Sequence, residues 1–256
     1  MATPAEIPAD DPAPNPPNPP NPLRTITYSR VVDLSHGIHP GIPRWPGDPP
    51  VEIKTAATLE RDGYRLNAFS MGEHSGTHIN APASFHAQGD GIDAYAAESL
   101  VVPAVVMDVR DRAGANPDYT LAPADVEAWE RRWGKAPSGS LVLLLTGWSE
   151  KWDNPREFLG YDSQGRMHFP GFGPASARLL LEQRGAAGLG IDTHGLDPGS
   201  DDAFQVNRLV LEQPRFSLEN LANLHLLPAV GSTLVVGLLR LRGGAGSPVS
   251  VLALAP

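Results

Sequence analysis

Residues 72–86 have the sequence GEHSGTHINAPASFH, which places three of the chain's eight histidines within thirteen residues: His74, His78 and His86. Gly76, the β-branched Thr77 and the following Pro82 argue against a helix, so a loop or an extended segment is predicted here. Neutral imidazole is a good ligand for Zn, Mn, Fe and Ni. Two histidines plus an oxygen donor would leave positions open for water, as catalysis requires. The spacing alone also leaves open the alternative that these are ordinary surface or hydrogen-bonding histidines.

Hydrophobic patterns on both sides of this stretch predict an α/β domain with a mixed sheet. Strands are predicted at residues 31–34, 66–71, 101–109, 140–146, 187–192, 232–241 and 250–255, of which 101–109 and 140–146 are expected to be buried. Helices are predicted at residues 123–133, 174–184 and 218–224. The first helix begins with Pro123, which suits a first helical turn, and the second ends before Gly185.

The composition limits the class of protein. A chain of 256 residues with 41% hydrophobic and 19% charged residues is typical of one globular domain. The net charge of −9 provides no positive field that would attract nucleic acid or an anionic membrane, and the apolar runs are too short to cross a bilayer. The absence of cysteine excludes disulfides, thiolate ligands and a cysteine nucleophile. With no secretory signal evident, a cytoplasmic enzyme is expected.

Residues 1–23 differ in composition from the rest of the chain. They hold nine of the 27 prolines and almost no large apolar side chains. Such a segment cannot offset its ordering entropy by burial, so a disordered or polyproline-like tail is predicted. A ligand for a proline-recognising partner domain is the alternative. Residues 24–256 are predicted to form a single catalytic domain.

Four motifs in the same order resemble those of the cyclase family. The segment around His74 and His78 resembles the family signature His-x-Gly-Thr-His-x-Asp-x-Pro-x-His. Residues 45–48 resemble its WPGD loop, residues 190–193 its GIDT strand end, and residues 218–224 its Glu-Asn-Leu helix. The resemblance covers about residues 30–256. It implies a swivelling β/β/α fold and a metal-dependent hydrolase of the kind that includes kynurenine formamidases and isatin hydrolases.

The resemblance also implies a metal site, with departures that change its chemistry. His74, His78 and Glu219 match metal ligands of the family, but Asn80 stands where a bridging Asp is usual. Asn207 stands at the position of a histidine that would hold a second metal. An amide offers one neutral oxygen and cannot bridge two cations as a carboxylate does. We therefore expect one divalent metal per chain, Zn or Mn, with Asn80 as a ligand, or no metal at all.

The remaining site residues are expected to handle protons and substrate. Ser84 stands at the family's proton-shuttle position, and His86 would share its side if the segment were extended. His86 is then expected to accept and return the proton during catalysis. Trp45, Phe85 and His194 are expected to bind the substrate. A solvated loop role for His86 and a structural role for His194 stay open.

The resemblance implies hydrolysis of a small amide, formamide or lactone by metal-activated water. The substrate would be aromatic or cyclic, and the arylformamidase activity of the family belongs to tryptophan catabolism. A homodimer or larger homo-oligomer is also implied. Two alternatives remain: a catalytically impaired small-molecule binding protein on the same fold, and a metal-dependent cyclase or lyase. A serine hydrolase is disfavoured because the sequence has no G-x-S-x-G motif.

Overall fold

The computed structural model describes residues 25–256, and the predicted Pro-rich tail lies outside the described residues. The strands of this part are β1 (Arg30–Asp33), β2 (Glu52–Ala57), β3 (Leu66–Ser70), β4 (His78–Asn80), β5 (Val101–Asp108), β6 (Thr120–Leu121), β7 (Leu141–Leu145), β8 (Gly171–Phe172), β9 (Gly188–Ile191), β10 (Phe216–Glu219), β11 (Ser232–Leu238) and β12 (Gly246–Ala255). The helices are α1 (Leu59–Asp62), α2 (Arg110–Ala115), α3 (Pro123–Trp133), α4 (Pro155–Phe158), α5 (Pro174–Arg178) and α6 (Gln205–Leu211). Among residues 25–256, no helix is both long and apolar enough to cross a membrane.

The main sheet has eight strands in the order β1-β12-β11-β5-β7-β9-β10-β4. Strands β5, β7, β9 and β10 are parallel neighbours, and the remaining pairs are antiparallel. The long strand β12 closes the sheet, because residues 246–248 pair with β4 while later residues pair with β11 and β1. The result is a mixed, barrel-like sheet, which confirms the predicted α/β class.

Two hydrophobic cores lie on opposite faces of the central strands. Along β7, Leu141, Leu143 and Leu145 point into the core enclosed by the sheet. Val142 and Leu144 point into a second core against α3, α5 and α6. This alternation follows from the two-residue period of a strand, and it explains why β7 is apolar throughout. Each fully buried leucine contributes about 1.5–3 kcal/mol by leaving water.

Most of the predicted elements are confirmed, and one is wrong. The helix predicted at residues 218–224 is instead the strand β10, followed by a turn. Phe216 and Leu218 enter the enclosed core, whereas Ser217 and Glu219 point to the opposite face, as a strand requires. Asn220 then takes a positive φ of 56°, which ends the strand. Helix α6 was not predicted.

Candidate active site

The site lies on the face of β4 and β10 opposite to the enclosed core. The two strands are antiparallel, with His78 opposite Glu219 and Asn80 opposite Ser217. Because side chains alternate along a strand, the apolar Ile79 enters the core while its two neighbours share the site face. The pairing of β4 with β10 therefore brings an imidazole, a carboxylate and an amide together.

His78 and Glu219 form a buried pair. Nδ1 of His78 lies 3.0 Å from the Gly76 carbonyl oxygen, an acceptor, so Nδ1 carries the proton. Nε2 of His78 lies 3.0 Å from Oε2 of Glu219. Burial would raise the pKa of Glu219, but its hydrogen bonds with His78 and Asn207 outweigh burial and lower the pKa to about 2. Glu219 is therefore a carboxylate.

His74 supplies a second imidazole beside this pair. The ring centroids of His74 and His78 are 5.3 Å apart. Nδ1 of His74 is buried and has no hydrogen-bond partner among the described residues. Burial, together with the nearby His78, lowers the pKa of His74, so its ring is neutral near pH 7.

His194 is a third imidazole in the same pocket. It follows the end of β9 and is only 4% exposed, and its Nε2 has no hydrogen-bond partner within residues 25–256. Burial lowers the pKa of His194 to about 4, so the ring is neutral at physiological pH. The Trp45 ring meets it edge-on at 5.5 Å between centroids.

A chain of hydrogen bonds through three neutral side chains ends at the Glu219 carboxylate. Nδ2 of Asn80 donates to Oγ of Ser217 at 2.9 Å, and that hydroxyl donates to Oδ1 of Asn207 at 3.3 Å. Nδ2 of Asn207 donates to Oε1 of Glu219 at 2.9 Å. Because the Asn80 nitrogen is held by Ser217, its amide oxygen is the atom left to face the pocket that Asn80 lines.

The pocket has a volume of about 160 Å³, and four aromatic rings line it together with the polar residues. Phe204 lies 5.8 Å from Trp45 and 5.5 Å from Phe85 between ring centroids, and Phe169 lies 6.5 Å from Trp45. Phe204 has a φ of 54°, a left-handed conformation that is uncommon for a bulky residue. Neither Phe169 nor Phe204 was a predicted site residue, because the chain alone gives no sign that these loops meet.

Asp197 holds helix α6, and with it Asn207, in place over this pocket. Its carboxylate accepts the backbone N–H of Val206 at 2.5 Å and that of Asn207 at 3.0 Å. Burial raises the pKa of Asp197 to about 6. Asp197 was not predicted as a site residue, although its position three residues after His194 indicates a place near the site.

All but one of the predicted site residues line this pocket: Trp45, His74, His78, Asn80, Ser84, Phe85, His194 and Glu219. The exception is His86, whose Nε2 bonds to the Arg208 carbonyl oxygen at 3.0 Å instead. Residues 82–84 form a 3-10 turn, so the extended segment on which the shared side of His86 and Ser84 depended is not formed. Oγ of Ser84 donates to the Ala245 carbonyl oxygen at 2.7 Å.

Two of the candidate ligands, His78 and Glu219, are close enough to share one cation. His78 carries its proton on Nδ1, so its Nε2 is a hydrogen-bond acceptor. This Nε2 lies 3.0 Å from an oxygen of the Glu219 carboxylate, which is also an acceptor. Two acceptors this close require a cation between them. That cation is a proton on Nε2 or a metal ion. Among residues 25–256, His, Asp and Glu side chains form no ready group of three metal donors. The neutral amide of Asn80 lines the same pocket.

Comparisons with known proteins show the family and the fold of the chain. A family model described as putative cyclase matches residues 32–198. Isatin hydrolase from Roseibium aggregatum is 32% identical over 243 residues, which cover 88% of this chain and 92% of the relative. Kynurenine formamidase from Sphingopyxis alaskensis is 28% identical over 231 residues, covering 88% and 97%. The structure of isatin hydrolase A from Ralstonia solanacearum superimposes with a TM-score of 0.84 at 33% identity, covering 89% of this chain and 92% of that chain.

Proposed function

The chain belongs to the cyclase family, and from this premise we propose that it is a metal-dependent hydrolase of small amides, formamides or lactones. The names of two relatives, isatin hydrolase and kynurenine formamidase, denote hydrolysis of non-peptide amide bonds. The observation that carries the proposal is the His78–Glu219 pair. It shares its pocket with His74 and His194, each of which has a buried ring nitrogen without a hydrogen-bond partner among residues 25–256.

We propose a single divalent cation, Zn or Mn, held by His74, His78 and Glu219 with the amide oxygen of Asn80. Such a cation lowers the pKa of water and polarises a carbonyl oxygen. The Gly76 carbonyl fixes the tautomer of His78 that a ligand needs, as the outer partners of metal-binding histidines usually do. The hydrogen-bond chain that begins at Asn80 contains no carboxylate other than Glu219. It therefore offers a second cation no further negative charge, which disfavours binding of that cation.

We propose His194, instead of His86, as the proton carrier. Its ring is neutral, its Nε2 is unpartnered among the described residues, and it lines the pocket. In hydrolysis, the acyl carbon gains the oxygen of water as the C–N bond breaks, and the departing nitrogen gains the proton. His194 would take that proton from water and return it to the nitrogen. The Ser84 hydroxyl already donates to a carbonyl, so it is left to accept a hydrogen bond from water or substrate.

The size and walls of the pocket support a flat aromatic or cyclic substrate. A volume of about 160 Å³ accepts a reacting amide and one ring, and Trp45, Phe85 and Phe204 would cover the faces of that ring. An arylformamide or an isatin-type lactam meets these limits. Activity on an arylformamide would give the protein a place in tryptophan catabolism. A cytoplasmic location stays a prediction.

We propose that the β2–β3 hairpin packs against a second copy of the chain. These two strands pair only with each other among the described strands. Ile53, Leu66 and Phe69 are large apolar residues on them, and each is at least 44% exposed. Two-stranded ribbons are marginal on their own, so a partner surface is expected. Light scattering of Phe69→Lys should show a smaller particle than the unaltered protein.

The test of the function combines metal content with turnover. Metal per chain is measured on protein purified without chelator, and hydrolysis is followed with a panel of aryl formamides, isatins and lactones in isotope-labelled water. His78→Ala should lose both metal and turnover. The matched control is His225→Ala, whose side chain is exposed and lies outside the pocket.

Three outcomes separate the alternatives. One metal per chain and label in the acid product support the hydrolase. Turnover without label in the product would favour a cyclase or lyase. Binding of aromatic ligands without metal or turnover, even after reconstitution with Zn or Mn, would favour the impaired binding protein.

A further inference from the structure

A separate cavity of about 500 Å³ lies between α3, the carboxyl ends of β5 and β7, and residues 227–229. It shares no lining residue with the aromatic pocket at the proposed metal site. Its volume is within the roughly 300–1,000 Å³ of most small-molecule sites. The carboxyl ends of parallel strands are also the usual place for ligands in α/β sheets, and β5 and β7 are parallel neighbours. The size and the place of this cavity are therefore those of a second ligand site.

The walls of this cavity are joined at one residue, Val106. The strand β11 pairs with β5 only at residues 101–104, so β11 leaves that side of β5 beyond this point. There the N–H of Val106 donates to the Ala229 carbonyl oxygen at 2.9 Å, and its own carbonyl oxygen accepts the indole N–H of Trp129 at 2.8 Å. Because these bonds hold α3 and residues 227–229 against the strand, the cavity is formed before a ligand binds.

Two tryptophans of α3 give the cavity its aromatic surface. Trp129 and Trp133 are four residues apart and therefore share a face of the helix. The indole N–H of Trp129 is already bonded, so its ring is left as an apolar surface. Trp133 is 44% exposed. The two indoles suit a flat aromatic ring, because aromatic rings stack or pack edge to face at small energetic gain beyond the area that they bury.

The charges of the lining leave one arginine uncompensated. Two of the three arginines that line the cavity, Arg110 and Arg112, each form an ion pair with an aspartate of the same lining. The third, Arg132, is exposed and forms no ion pair with a carboxylate of residues 25–256. Its guanidinium carbon lies 4.9 Å from the centroid of the Trp133 ring. The cavity therefore has one available positive charge beside an aromatic ring, in a chain with a net charge of −9.

We propose that this cavity binds a planar aromatic ligand that carries one anionic group, at a site separate from the active site. The ring packs on Trp129 and Trp133, and Arg132 binds the anion through charge-assisted hydrogen bonds. A neutral ligand leaves this guanidinium without a counter-charge, whereas a second negative charge on the ligand meets the two aspartates of the lining. The inference does not depend on the proposed hydrolase, because the two sites have no residue in common.

Calorimetry tests the proposal with 2-naphthoate and its neutral analogue 2-naphthamide as probes. The full chain should bind 2-naphthoate at least about tenfold more tightly than the amide, because a hydrogen bond to a charged group is worth more than one between neutral groups. Arg132→Gln should bring this ratio close to one, and Trp133→Leu should weaken the binding of both probes about threefold or more. The control is Arg131→Gln, which alters an exposed arginine of the same helix that does not line the cavity.

A variant of the aromatic pocket shows which site the probe occupies. Phe204→Ala changes that pocket and should retain the preference for 2-naphthoate. A preference that is lost in Phe204→Ala and kept in Arg132→Gln would place the probe in the active site and overturn the proposal. Equal binding of the two probes, or binding of neither, would overturn it as well. Arg132 and Trp133 are exposed, so their variants should unfold at the temperature of the unaltered protein, which a thermal unfolding curve checks.

Discussion

Gly246 lies directly against the imidazole of His74. A Cβ atom on Gly246 would come within 2.6 Å of Cε1 and 2.8 Å of Nδ1 of that ring. It would also come within 2.8 Å of the Ile79 backbone oxygen on β4. Contacts this short are essentially never found, so a side chain here requires both the ring and the backbone of β4 to move. The backbone of β12, which also pairs with β4 at Asn80, therefore fixes the position of one proposed metal ligand.

Gly246→Ala should displace His74 and also disturb the pairing of β12 with β4, because the same Cβ atom would come within 2.8 Å of the Ile79 backbone oxygen. We expect kcat/KM to fall at least about tenfold, because small displacements of reacting groups are costly, and metal affinity to fall with it. The measurement is turnover and metal content beside a thermal unfolding curve. Gly114→Ala is the control, since a Cβ atom there meets nothing within 4 Å. Full activity in Gly246→Ala would show that His74 need not hold its present position.

The ion pair of Glu130 and Arg184 connects α3 to the end of a helical segment, residues 174–184, that begins with α5. Nε and Nη2 of Arg184 donate to the two carboxylate oxygens at 2.6 and 2.9 Å, and the side chains are only 15% and 9% exposed. Glu130→Gln should lower the free energy of unfolding by about 2 kcal/mol. The substitution removes the charge of a bidentate contact that is largely shielded from solvent.

Urea unfolding gives the measurement, and another ion pair of the same helix segment gives the control. Arg178 and Glu182 are 2.8 Å apart but more than half exposed. Glu182→Gln should therefore cost no more than about 0.5 kcal/mol. Similar losses in both variants would contradict the idea that burial strengthens the first pair.

His168 makes stability depend on pH. Its Nδ1 lies 2.8 Å from Asp118 and its Nε2 lies 3.3 Å from Asp162. The hydrogen bond with Asp118, assisted by that with Asp162, raises the pKa of His168 above its ordinary value of 6.5. The folded state therefore binds a proton more tightly than the unfolded chain, and stability is fully gained below pH 6.5 and lost as pH rises through the raised pKa.

His168→Gln tests this sign. Urea midpoints are compared between about pH 5 and pH 9, a range that spans the ordinary histidine pKa. The difference between the unaltered protein and the variant should be largest at low pH and should shrink as pH rises. A difference that grows with pH would mean that the neutral ring, and not the imidazolium, is the stabilising form.

The strands and most of the site could be predicted because their signals are local. The apolar run of β7 and the His-Ser-Gly-Thr-His segment specify their own structure over a few residues. The position of His86 could not be predicted, because it depends on a turn at residues 82–84 and on a bond to Arg208 far along the chain. The same holds for Phe204, which reaches Trp45 only after α6 has packed.

The strand β10 shows a different limit. Its sequence alternates apolar and polar residues, yet a helix was predicted at residues 218–224, and the matching family motif was taken as a helix too. The alternation was the better guide, because Phe216 and Leu218 enter the core while Glu219 meets His78. A motif identifies which residues belong to a site more securely than it identifies the element that carries them.

Asn80→Asp tests whether the neutral amide limits the affinity of the site for a cation. The new carboxylate would lie near Glu219 on the same face, so without metal the two negative charges should lower the midpoint of thermal unfolding. With Zn or Mn, the added charge should tighten binding at least about tenfold and increase the thermal shift that the cation gives. Asn207, at the position of the second-metal ligand, stays neutral in this variant, so the stoichiometry should remain one metal per chain.

Competition with a chelator measures the affinity of the Asn80→Asp variant, and Asn67→Asp on the exposed β3 is the control. Unchanged affinity would remove Asn80 from the ligand set, and two metals in the unaltered protein would contradict the single-cation site.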